Sequence, residues 1–163
     1  MISKEEVSYY DSVWGDPRYV WGPIRYHQWA NEKVLQPNLD VGCGDGHVKS
    51  QVYVEVSVKA LERCKRKGLK ELVRADASHL PFRDKVFNSV SMTEVLEHQP
   101  DPFSCLKEAR RVACQRLVAT VPVKGDHLDV SHKRDVDYGY YGFNPVEVRN
   151  IDNFWCVVER LSA

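Results

Sequence analysis

The 163-residue chain has no net charge, no C-x-x-C pair and no long apolar run, and each absence removes a class of protein. Lys plus Arg and Asp plus Glu balance at 23 each, so no global field draws the molecule toward nucleic acid or a membrane surface. The five cysteines, at 43, 64, 105, 114 and 156, are scattered, which suggests neither a zinc site nor a disulfide framework. A reducing, intracellular setting is the simplest reading. No apolar stretch approaches the roughly 18 residues of a membrane span, and Met1-Ile2-Ser3-Lys4-Glu5-Glu6 is too polar for a signal peptide. The expectation is a soluble, cytoplasmic protein without a membrane partner. Internal repeats, low-complexity segments and domain boundaries are also missing, so residues 1–163 read as a single domain that buries about 70% of its unfolded surface.

What is present is concentrated in Leu39-Asp40-Val41-Gly42-Cys43-Gly44-Asp45-Gly46, a short hydrophobic strand running into a glycine-rich turn. Such a turn lets backbone approach a nucleotide ligand, because glycine accepts positive φ and carries no side chain. It is not a P-loop, since Val48 separates the glycines from Lys49-Ser50 and no glycine precedes the lysine. A dinucleotide fingerprint would need G-x-G-x-x-G and an acid about 20 residues on. The chain offers G-x-G-x-G, with Glu55 nine residues after Gly46. A turn with no ligand is a poor explanation, because each glycine adds roughly 0.5–1 kcal/mol of backbone entropy to be lost on folding. Asp40 and Asp45 would repel a pyrophosphate but attract a nucleoside bearing a sulfonium and an α-amino group. The ligand this predicts is S-adenosylmethionine.

The surrounding pattern alternates β-branched runs with amphipathic stretches, as in a parallel sheet wrapped by helices. Ser57 caps a predicted helix from Val58 to about Lys67, ended by Gly68, and Asp101-Pro102 opens another to about Val112. Pro145 to Ile151 and Phe154 to Leu161, joined by Asp152-Asn153, read as an antiparallel hairpin. Only Gly46 to about Gln51 remains for a helix between the first two strands, although a parallel crossover normally takes about a dozen residues. That helix must be one or two turns, or absent.

The chain resembles the class I, Rossmann-like S-adenosylmethionine-dependent methyltransferases. The likeness rests on the glycine turn, on Val52-Tyr53-Val54-Glu55-Val56-Ser57, on Val73-Arg74-Ala75-Asp76-Ala77 followed by Leu80-Pro81-Phe82, on Phe87-Asn88-Ser89-Val90-Ser91-Met92 followed by Glu94-Val95-Leu96-Glu97-His98, and on Arg110-Arg111-Val112 with Arg116 to Pro122. These segments come in the family's order over about residues 38 to 122. The resemblance implies an α/β three-layer sandwich with a mostly parallel seven-stranded sheet of order 3-2-1-4-5-7-6, a C-terminal antiparallel hairpin and, here, shortened helices. It also implies N-terminal covering helices over 1–37, a cofactor-binding core over 38–122, and a loop with the terminal hairpin over 123–163.

From the same resemblance, Gly42, Cys43, Gly44 and Gly46 would pass close to the methionyl part of the cofactor, with Asp40 acting directly or through water on its ammonium group. Glu55 would accept hydrogen bonds from both ribose hydroxyls, beside Val56. Asp76 would lie near the adenine amine, Ala77 would donate a backbone N–H to a ring nitrogen, and Thr93 and Glu94 would complete the site. No metal is expected, since Asp126, His127, Asp129 and His132 read as hydrated loop polarity.

In-line methyl transfer needs chiefly an acceptor held in position. For a hydroxyl or phenol acceptor, His98 beyond strand 4 is the candidate base, with His127 on the same rim. Tyr10 and Trp14, together with His98, would form the acceptor pocket, while Trp29, at helical spacing from Tyr26 and Lys33, would seal the sheet. Tyrosine-rich surfaces also suit a homodimer interface. The acceptor is read as a small molecule, because the Glu94-to-Pro102 segment is similar to quinone-biosynthesis methyltransferases. The Asn/Asp-Pro-Pro-Tyr/Phe signature of amino-nitrogen methylation is absent after strand 4. Two alternatives stand beside this one. The basic stretch Lys59, Arg63, Lys65, Arg66, Lys67, Lys70 and Arg74 would suit a nucleic-acid or protein substrate, and a non-catalytic cofactor-binding module would share the same site residues.

Overall fold

A computed structural model describes residues 2–19, 24–124, 133 and 136–162. Its sheet contains β1 (Asn38–Val41), β2 (Val52–Glu55), β3 (Leu72–Arg74), β4 (Phe87–Thr93), β5 (Ala113–Pro122), β6 (Pro145–Ile151) and β7 (Phe154–Arg160), in the order β3-β2-β1-β4-β5-β7-β6. The first five strands pair in parallel, and the β6–β7 hairpin adds antiparallel to β5, with Val118 opposite Val158 and Thr120 opposite Cys156. Among the described residues, four α-helices flank it: α1 (Lys4–Gly15), α2 (Arg25–Lys33), α3 (Val58–Arg66) and α4 (Pro102–Val112).

Helix ends fall where local chemistry puts them. The Ser57 hydroxyl accepts from Ala60 N–H at 3.2 Å, and the Asp101 carboxylate accepts from Ser104 N–H at 3.1 Å with Pro102 in the first turn, so orphan amides of α3 and α4 are satisfied. Strand alternation divides the core between the two sheet faces. Leu39, Val41, Val90, Met92, Leu117 and Val121 pack with Leu106 and Ala109 of α4. On the other face, Val118, Cys156 and Val158 meet Tyr26, Trp29 and Ala30 of α2. Burying one such aliphatic side chain stabilises by about 1.5–3 kcal/mol, so both layers hold the strand ends in fixed relation.

The link from β1 to β2 contains no helix: Gly42 to Gln51 crosses as turns and bends. Side chains hold it instead. Lys67 Nζ donates to the Asp45 carbonyl at 2.9 Å and carboxylate at 2.6 Å. Asn31 Nδ2 donates to His47 O at 3.0 Å while its Oδ1 accepts from Lys49 N–H at 2.6 Å, and Asn38 Nδ2 donates to Ser50 Oγ at 2.7 Å. The turn after β1 is thereby tied to α2 and α3 by polar contacts.

Candidate functional site

A cavity of about 470 Å³ opens at the carboxyl ends of the parallel strands, where side chains leaving neighbouring strands converge and open α/β sheets place their ligands. Its floor follows the sheet order. Asp76 comes just after β3, Glu55 ends β2, Gly42 and Gly44 follow β1, Thr93 ends β4 and Glu94 follows it. Tyr10 and Trp14 of α1 form its roof.

Two glycines shape the floor. Gly42 and Gly44 have φ of +67° and +52°, a region costly for residues with a Cβ. A Cβ on Gly44 would lie 2.7 Å from the Trp14 ring, and one on Gly42 would lie 2.5 Å from Val95 Cγ2.

The two acids on the nucleoside side are held by backbone. Glu55 Oε2 accepts from Gly44 N–H at 3.0 Å, and its Oε1 accepts from Val56 N–H at 2.7 Å and Ser57 N–H at 3.0 Å. Burial pushes its carboxyl up, against the downward pull of those three amides. Asp76 Oδ1 accepts from the backbone and hydroxyl of Ser78 at 2.9 and 2.8 Å, and its Oδ2 accepts from Ile2 N–H at 2.6 Å. Burial would raise the Asp76 carboxyl, but these donors outweigh it and hold it below the usual range.

Asp40 and Gly46 do not border the cavity. The alternation of β1 turns Asp40 into the sheet, 1% exposed, where Ser91 Oγ donates to it at 2.7 Å. Burial there lifts its carboxyl to about 7, the hydrogen bond from Ser91 opposes the shift, and nearby Glu55 adds to it. Gly46, at φ +78°, lies behind the turn, where a Cβ would be 2.3 Å from Leu69 Cδ1. Asp40 can therefore act on the cavity through the turn above it, and Gly46 through the path of the chain. Cys43, Val56 and Ala77 do line the cavity. The hydrogen bond with the adjoining Cys64, and then burial, push the Cys43 thiol up, so it is a packed group rather than a reactive one.

His98 lines the cavity from a short turn of helix, Leu96–His98, with its ring edge-on to Tyr10 at 6.3 Å. His127 lies outside the described residues. Among the described residues, no group of three or more His, Cys, Asp or Glu is arranged to hold a metal ion.

One wall was not anticipated from the sequence. His27, from the first turn of α2, stacks on His47 at 4.8 Å, and His47 Nε2 lies 2.7 Å from Asp45 Oδ1. Burial would raise the Asp45 carboxyl, but His47 and Lys67 bring it down to about 2. Burial depresses His27 to about 4, helped by neighbouring His47. The only sequence signal for this wall is the short β1–β2 link, which leaves residue 47 at the rim rather than inside a helix.

Residues 39–116 match the family model described as a methyltransferase domain, and the strand order is the one expected for that family. Residues 39–116 thus carry a methyltransferase domain, on a class I, Rossmann-like sheet. Among curated proteins, the chain is 30% identical over 142 residues to methyltransferase GfsG of Streptomyces halstedii, covering 75% of this chain and 50% of that protein. It is 36% identical over 97 residues to demethylmenaquinone methyltransferase of Staphylococcus saprophyticus, covering 50% and 42%. The crystal structure of 1,6-didemethyltoxoflavin-N1-methyltransferase from Burkholderia thailandensis, with 1,6-didemethyltoxoflavin and S-adenosylhomocysteine bound, superimposes with a TM-score of 0.73 at 16% identity, over 100% of this chain and 92% of that one. The chain spans about half or less of the length of the curated relatives it matches.

Proposed function

We propose that this chain binds S-adenosylmethionine in the cavity and methylates a small-molecule acceptor. The observation that carries the reading is the order of groups along the floor, Asp76, Glu55, the Gly42–Gly44 turn, then Thr93 and Glu94. That order suits adenine, ribose, methionyl chain and acceptor in turn. The glycine turn fits a closely approaching ligand, since Cβ atoms there would collide with the cavity's own walls. Glu55 would reorient its carboxylate from the Gly44 amide to the ribose hydroxyls, a bidentate contact that an amide or alkyl side chain cannot make.

The cofactor supplies a methyl group on a sulfonium, poised for in-line displacement. The chain's part is to hold both partners aligned and to exclude water, which α1 does by laying Tyr10 and Trp14 across the cavity. His98 would take the proton of a hydroxyl or phenol acceptor.

Two observations favour a small acceptor. α1 lines the cavity with Tyr10, Val13 and Trp14, so an acceptor would meet aromatic and apolar side chains there. Much of the basic stretch is also engaged within the fold: Arg63 donates to the Tyr19 and Asp16 carbonyls, Lys67 binds Asp45, Lys59 pairs with Glu62 and Arg74 donates to Val56 O. Demethylmenaquinone methyltransferase agrees with that direction by name. No described helix is long and apolar enough to cross a membrane, which is consistent with action in the cytoplasm.

The test is Glu55→Ala, titrated with S-adenosylhomocysteine. Affinity should fall at least tenfold, and a change below threefold would contradict the ribose assignment. A labelled-methyl screen of cell extracts should then yield a small labelled product. Binding without turnover in any extract would instead support the non-catalytic module.

A further inference from the structure

One face of the central strands is polar where a sheet is normally packed with apolar side chains. Leu39, Val41, Val90 and Met92 pack toward α4, and the alternating positions of the same strands are Asn38, Asp40, Ser89 and Ser91, all fully buried. The parallel register sets Asn38 beside Ser89 and Asp40 beside Ser91. Hydrogen bonds join all four. Ser89 Oγ accepts from Leu35 N–H at 2.8 Å and donates to Asn38 Oδ1 at 2.6 Å, while Asn38 Nδ2 donates to Ser50 Oγ at 2.7 Å and to Ser91 Oγ at 2.9 Å. Both amide protons of Asn38 are thereby used, and Ser91, having accepted one of them, directs its own proton to Asp40 Oδ1 at 2.7 Å. The row runs from the links at Leu35 and Ser50 to a carboxyl beneath the Gly42–Gly44 turn. Placing four polar side chains there costs desolvation that aliphatic residues would avoid, and what a satisfied network gives in return is a fixed geometry.

We propose that Ser91, backed by Asn38, is a positioning residue that holds the Asp40 carboxylate under the turn, where it attracts the ammonium group of the cofactor's amino-acid end. The assignment rests on the cofactor reading above and deepens it. Burial favours the neutral acid at Asp40, the Ser91 hydroxyl favours the carboxylate, and Glu55 adds to the effect of burial. The other titratable groups beside Asp40 are Tyr53, paired with it on β2, and Cys43 in the turn, and both are raised above their ordinary values and so uncharged at neutral pH. β4 contributes only its two serines. With the Asp40 carboxyl at about 7, a cation arriving above the turn at neutral pH favours the carboxylate, and the proton leaves to solvent.

Two ligands isolate the charge: S-adenosylhomocysteine, and 5′-methylthioadenosine, which keeps the nucleoside and thioether but lacks the ammonium group. In calorimetric titrations of the wild type from pH 6 to pH 8, affinity for the first should rise about fivefold as Asp40 ionises, and affinity for the second should change less than twofold. Asp40→Asn should flatten that rise. Ser91→Ala should weaken S-adenosylhomocysteine about threefold at pH 7, move the midpoint of the rise to higher pH, and leave 5′-methylthioadenosine within twofold, which also shows the variant to be folded. Ser91→Cys, close in size but a weaker donor, should act in the same direction should the alanine variant not fold. In the Asp40→Asn background the Ser91 substitutions should have no further effect. Equal weakening of both ligands, or an undiminished Ser91 effect without the Asp40 charge, would reduce Ser91 to a packing role and overturn the proposal. So would a wild-type profile that is flat over this range or survives Asp40→Asn. If 5′-methylthioadenosine binds as tightly as S-adenosylhomocysteine, the Asp40 assignment alone fails. If neither ligand binds the wild type, the cofactor reading fails and takes this assignment with it.

Discussion

Gly44 and Asp40 show two ways in which single residues set this site. Gly44 lies at φ +52° beneath Trp14, with no room for a side chain. Gly44→Ala should therefore destabilise the fold by about 1–2 kcal/mol from backbone strain alone and lower S-adenosylhomocysteine affinity about tenfold by displacing Trp14. A thermal melt and a titration would check both effects, and a variant that matches the wild type in each would show that the turn tolerates a Cβ. Asp40 acts through charge. Its carboxyl is raised from 3.8 to about 7 by burial, so the folded chain keeps the proton to higher pH than the unfolded chain does. Stability from this group is fully present below pH 3.8 and is lost as pH rises through 7. His27, depressed to about 4, runs the other way and favours the fold above pH 6.5. The Asp40 contribution is therefore isolated as a difference: on going from pH 5 to pH 8 the denaturation midpoint of Asp40→Asn should change more in favour of the fold than that of the wild type, because the loss from Asp40 is gone and the gain from His27 remains. An identical change would mean Asp40 ionises normally. The residue types of the site could be read from the chain, but their placement could not. The period of β1 does not say which face a ligand shares, and Asp40, expected to act on the ammonium group directly or through water, lies beneath the turn rather than on the cavity lining.

Among the elements, α1 is the least supported by packing, having no buried residue of its own. Polar ties hold it down. The Asp11 carboxylate accepts from Ser57 Oγ at 2.6 Å and Lys59 N–H at 3.2 Å, and Arg63 grips the Asp16 and Tyr19 carbonyls while lying 5.5 Å from the Trp14 ring centroid. Removing these ties in Arg63→Ala should raise amide hydrogen exchange across Lys4–Gly15 and leave β5 unchanged. Uniform acceleration would mean α1 is part of the main cooperative unit. The legibility of elements follows the same division between local and distant causes. Ser57, Asp101-Pro102 and Asp152-Asn153 signal their boundaries through nearby chemistry, and α3, α4 and the β6–β7 hairpin begin within a residue of where those signals place them. The fate of the β1–β2 link depends on Asn31, Lys67 and Asn38, which are distant in sequence, so neither its lack of a helix nor the His27–His47 wall is written in any local pattern.

At the scale of the whole molecule, the sheet order converts a linear set of strand ends into a row of subsites. Parallel strands deliver Asp76, Glu55, Gly42 and Glu94 to one edge, and the strand-order change at β1 opens the cavity there. Balanced charge, with much of the basic stretch engaged internally, predicts no retention on immobilised RNA at about 0.15 M salt, where the Debye length is about 8 Å. Salt-sensitive retention under those conditions would return nucleic acid to the list of acceptors. The central claim is that the row of subsites takes S-adenosylmethionine. Its most direct test is calorimetric titration of the wild-type chain with S-adenosylhomocysteine, with NAD as the control ligand: micromolar binding of the first alone is the predicted result, and binding of NAD, or of neither, would contradict it.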